Sequence, residues 1–181
     1  MRSAATLTLP TAVGVLLLMA GPASALSGQC FWNQLQALTR GALVQGYQRL
    51  GPQVLDRVQI SDGELAAIDS NCGPGPDALK ERLLSAVVLE HGSAVFLKGW
   101  MHWDDQGIQQ AWGRIDPDQS QILRGQAEAL VAGAQQPEQS LSRAIGEFLG
   151  HDPERDEPGV ADQVRGYLTS RAIREAIERR S

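Results

Sequence analysis

The sequence has no basic excess, no cluster of metal ligands, no redox dithiol and, beyond its first 25 residues, no long apolar run. Each absence closes a class of function. With 16 basic against 21 acidic side chains the formal net charge is -5, whereas a surface that tracks phosphates needs a positive surplus, so nucleic acid is excluded as a partner. Past the N-terminal segment nothing approaches the ~20 consecutive apolar residues of a membrane span, and no stable membrane insertion is expected. The two cysteines form no CxxC pair, and the three histidines lack zinc-ligand spacing. His91 and His102 would lie ~16 Å apart along one helix, too far to share an ion. Glu147 and His151 have chelating spacing, but Gly150 is expected to end the helix between them. There is no G-x-S-x-G elbow, no S-x-x-K pair and no glycine-rich phosphate loop. No metal or cofactor is expected, and the missing nucleophile motifs favour binding over catalysis. No fixed-period repeat occurs, which removes solenoids.

What is present begins with an export leader. Arg2 supplies the positive end, Ala12 to Ala20 an apolar stretch, and Ala23-Ser24-Ala25 a small-residue cleavage site. Residues 1–25 are therefore expected to be removed, leaving a chain that starts at Leu26 and works outside the cytoplasm, in the periplasm, another envelope lumen or the medium. In such an oxidising space Cys30 and Cys72 are expected to form a disulfide.

The rest, 26–181, is expected to fold as a single compact all-α domain of several helices with that one disulfide. The spacing predicts a first helix from Ser27 to about Leu50, ended by Gly51-Pro52, and a short segment to about Val58. Ser61 and Glu64 make a capping box for a helix through Ile68. A long, central helix starts at Pro76 and continues through Gly92 and Gly99, with Leu79, Leu83, Ala86, Leu97 and Met101 on one arc. An alternative is an α+β fold in which 94–115 forms a hairpin around Asp104-Asp105-Gln106-Gly107. Asp116-Pro117 opens a helix with Leu123, Ala127, Leu130 and Ala134 on one side, and Gln136-Pro137 another that Gly150 ends. In the last stretch Ile173 and Ile177 point away from Val160, Val164, Tyr167 and Leu168, so the helix breaks near Thr169-Ser170 or its end contacts something else. Arg165, Arg171, Arg174, Arg179 and Arg180 read as a solvated helix end.

Candidate site residues are few. Trp100, His102, Trp103, Asp104 and Trp112 crowd a short stretch that could line a ligand pocket. Glu90 shares the apolar arc of the long helix, so its carboxylate needs a partner. Arg143, Arg124 or a donor from the tryptophan cluster would serve. An arginine partner makes Glu90 structural, and no cation nearby makes it a catalytic candidate. Two functions follow: a non-catalytic protein that binds a protein partner or a small ligand, or a small extracytoplasmic enzyme using Glu90 or the His102 and Asp104 region as acid or base.

Overall fold

The computed structural model describes residues 25–134, 140–156 and 159–181. The leader and the helix start at Gln136-Pro137 lie outside these residues. Among the described residues there are eight α-helices and no strand: α1 Gly28–Gln34, α2 Ala37–Leu50, α3 Asp62–Asn71, α4 Asp77–Met101, α5 Asp105–Gly113, α6 Pro117–Val131, α7 Ser142–Leu149 and α8 Val160–Glu178. None is long and apolar enough to cross a membrane.

The bundle is organised on α4 and α8, which pack along one another, with α6 across α8 and α1 and α2 against α4. α4 runs unbroken through Gly92 because that glycine meets α2: a Cβ there would sit 2.4 Å from Cγ of Tyr47. The same contact is sealed by a 2.7 Å hydrogen bond between the Tyr47 hydroxyl and Ser93 Oγ, both buried. α8 does not break at Thr169-Ser170. Wedged between α4 and α6, it buries Val164 and Leu168 as well as Ala172, Ala176 and Ile177, which is why its apolar residues point two ways.

The hairpin is not adopted. α4 ends at His102, which takes the left-handed conformation (φ 55), and Asp104 then caps a new helix by accepting the Gly107 N–H at 2.8 Å. Ile108, Ala111 and Ile115 are buried at helical spacing. In α6 the inward line is Gln119, Leu123, Ala127 and Val131, four residues apart each time, so Leu130 is left half exposed and Ala134 exposed.

The expected first helix is two. At Leu35 and Gln36 the backbone is extended, and the Gln36 N–H, which a continuous helix would use internally, donates to Glu64 Oε1 at 2.8 Å. The other oxygen of Glu64 accepts from the Ser61 N–H and the Ser61 hydroxyl, while Ser61 Oγ accepts from the Glu64 N–H. The capping box thus reaches beyond α3, which continues to Asn71 rather than stopping at Ile68, and pins the α1–α2 corner. Cys30 of α1 is bonded to Cys72 at the end of α3, with Cα atoms 5.5 Å apart.

Glu64 sets a pH dependence. Burial alone would raise its pKa, but the hydrogen bonds from Ser61 and Gln36 outweigh it and bring the carboxyl down to about 2. A folded-state pKa below the unfolded value gives stability that is present above about pH 4 and is lost as pH falls toward about 2. In urea unfolding, Glu64→Gln is expected to cost about 1–3 kcal/mol at neutral pH and to flatten this acid limb. An acid limb as steep as that of the wild type would show that other carboxylates govern it.

Candidate functional site

On α4 the residues Val87, Glu90, His91, Ala94, Val95 and Lys98 fall three or four apart and form one face. That face floors a cleft of about 280 Å³, walled by Gly28 and Gln29 of α1, Asp105, Ile108 and Gln109 of α5, and Tyr167 and Arg174 of α8.

Glu90 finds its partner on α8. Arg174 donates to it from two nitrogens, Nε at 2.6 Å and Nη2 at 3.2 Å, a bidentate pair with both side chains largely buried. Neither Arg143, which pairs with Glu147 and Asp116, nor the tryptophan cluster is involved. The third nitrogen of Arg174 donates to Glu178 at 2.7 Å, and Glu178 in turn accepts the Gly28 N–H at 2.7 Å. A chain of charge-assisted bonds therefore ties α4 to α8 and α8 to the start of α1. Burial alone would lower the Arg174 pKa, but the hydrogen bonds to Glu90 and the charges of Glu90, Glu178 and Glu175 raise it instead.

Arg171, one turn earlier, is saturated in the same way. It donates to Glu175 at 3.0 Å, to the Tyr167 hydroxyl at 2.8 Å and to Gln109 Oε1 at 2.9 Å, and its guanidinium lies over the Trp112 ring at 4.4 Å. The C-terminal arginines are thus not one solvated end: Arg171 is 9% exposed, and it and Arg174 are internal struts. Burial is also the main cause that raises the Tyr167 pKa.

The tryptophan cluster is dispersed by the break at His102. Trp103 packs edge-on against Phe148 at 5.8 Å, Trp112 against Tyr167 at 6.5 Å, and Trp100 lies partly buried against the core. None of the three lines the Glu90 cleft. His102 is exposed at the end of α4, and Asp104 is committed to capping α5.

No family model, curated protein or solved structure matches this chain. The chemistry of the cleft rests on its own residues, and the ring in contact with its His91 is that of Trp32 in α1. Its indole stacks on the His91 ring, with centroids 3.9 Å apart and planes 8° from parallel. His91 is held down to about pKa 4 chiefly by burial, then by the positive charges of Lys98, Arg174 and Arg40, with Asp105 opposing them. It is neutral at pH 7. Among the described residues no three His, Cys, Asp or Glu side chains are grouped to hold a metal.

Of the residues picked from sequence, the cleft keeps Glu90 alone. His91, Lys98, Gln109 and Arg174 of the cleft, and the Trp32 and Arg171 side chains that contact His91 and Gln109, carry no sequence motif. One signal was present: Arg171 and Arg174 each precede a glutamate by four residues, the spacing of internal ion pairs rather than of a free basic surface.

Proposed function

We propose that the chain is an exported, non-catalytic protein that holds a small ligand in the cleft between α1, α4, α5 and α8. The observation that carries this is the state of Glu90: both its oxygens are engaged by Arg174, so the carboxylate is committed to building the wall, while the cleft beside it stays open. A general acid or base needs an accessible proton site within reach of a substrate. His102 is exposed at the end of α4, and Asp104 is engaged as the cap of α5. Export is supported by the leader pattern and by the Cys30–Cys72 bond, which persists in oxidising compartments. Terminal sequencing of the exported protein is expected to begin at Leu26, whose side chain is buried, and retention of Met1 would contradict this.

The cleft reading is tested by a thermal-shift survey of small polar compounds on the wild type and on Ala94→Trp, which fills the cleft from α4. Compounds that stabilise the wild type and not the variant support the proposal. Stabilisation of both to the same degree contradicts it, and consumption of a bound compound points instead to an enzyme using Glu90 or the His102 and Asp104 region.

A second reading, a protein partner, is favoured by Leu38, which is 84% exposed on the first turn of α2. In that case Leu38→Asp abolishes capture of the partner and leaves the ligand shifts unchanged.

A further inference from the structure

The polar groups of the cleft divide into those already committed and those left to act. All three nitrogens of Arg174 and all three of Arg171 have partners, and these partners include Glu90, Glu175 and Glu178. These buried and half-buried charges are therefore paired with one another and are costly to redeploy. Lys98 differs. Among the described residues it pairs with Asp105 alone, whose side chain is 91% exposed, and an ion pair so open to water contributes little and opens readily. A lysine ammonium has three donor directions, and Asp105 takes one.

Two neutral donors join it. Gln109 has its Oε1 fixed by Arg171, which sets the amide so that Nε2, with two protons, is the end left without a partner among the described residues. His91 is held in orientation by the Trp32 stack, and its ring nitrogens have no hydrogen-bond partner among the described residues. Being neutral, it carries one N–H donor. The positive charges of Lys98, Arg174 and Arg40, opposed by Asp105, add to burial in keeping the ring neutral. The same cleft also presents apolar side chains, Val87, Ala94 and Val95 of α4 and Ile108 of α5.

We infer that the cleft takes a small monocarboxylate with a short apolar body, its carboxylate on Lys98, Gln109 and His91 and its chain on the α4–α5 floor. This rests on the cleft being a binding site. One recruitable positive charge beside two neutral donors matches one negative charge. Asp105 is the anion that the ligand replaces. A cationic ligand would meet Lys98 and find the carboxylate of Glu90 already paired with Arg174.

The test uses the oxidised chain from Leu26, with NMR resonances of the His91 and Trp32 rings followed while sodium butyrate, butylammonium chloride or 1-butanol is added at constant ionic strength. Only three histidines need to be distinguished. Butyrate is expected to shift both rings saturably and to raise the His91 pKa, with no saturation by butylammonium or by sodium chloride. Lys98→Met is expected to weaken butyrate by about tenfold or more, and Lys98→Arg to keep most of the affinity. Both variants alter a side chain near the surface, and unchanged melting temperatures confirm that they fold. Equal binding of butyrate and butylammonium at these rings, or Lys98→Met binding like the wild type, overturns the anion assignment but leaves a binding cleft. No shift from butyrate while other compounds distinguish the wild type from Ala94→Trp also overturns the carboxylate alone. Failure of every compound in both experiments removes the binding reading itself.

Discussion

Arg174→Met is expected to lower the unfolding free energy by about 3 kcal/mol or more. Methionine retains an aliphatic stem to pack over Gly28, where a Cβ would meet the arginine Cδ at 2.5 Å, but it removes the guanidinium that joins Glu90 to Glu178. Glu90 is then a largely buried carboxylate with no cation. The loss comes mainly from that stranded charge, so the double variant Glu90→Gln with Arg174→Met is expected to be more stable than the sum of the single effects implies. Urea unfolding of the four proteins at neutral pH measures the coupling. Strict additivity would mean that the pair contributes nothing as a pair.

Removal of the disulfide is the second large effect. The bond closes a loop of sequence separation 42 that contains α2 and most of α1 and α3, and loop-closure entropy sets an upper value of roughly 4 kcal/mol for its contribution. Cys30→Ala with Cys72→Ala, or reduction of the wild type, is expected to lower the urea midpoint strongly by this mechanism. The segment is then held by the Glu64 hydrogen bonds at the α1–α2 corner and by the packing of α1 and α2 on α4. A reduced chain as stable as the oxidised one would show that the corner and the α1–α4 packing suffice.

Local signals carried much of the helical layout. The capping box at Ser61 and Glu64, the Asp116-Pro117 start and the glycine stop at Gly150 are each set by residues a few positions apart, and the structure places helix ends at all three. The corner at Leu35-Gln36 was not legible, because it depends on Glu64, 28 residues away in the chain. The helical period through that point is good in sequence, and a tertiary hydrogen bond overrides it. The same applies to the site. Arg174 meets Glu90 across a separation of 84 residues and Arg171 meets Gln109 across 62, so the arginines read locally as a basic helix end and are in fact the struts of the cleft. The tryptophans show the converse case, neighbours in sequence that the fold separates. Closeness in sequence suggested one pocket, but α4 ends and α5 begins between them, and the indole that stacks on His91 comes from Trp32 in α1.

Whether Glu90 builds the cleft without acting in it is tested by one paired measurement on Glu90→Gln: unfolding free energy and butyrate affinity on the same sample. Stability is expected to fall by about 1–3 kcal/mol as the charge-assisted bonds to Arg174 are weakened, while affinity is unchanged or higher, since a negative charge has left the wall of an anion site. Lost affinity with unchanged stability would place Glu90 in contact with the ligand and contradict the account.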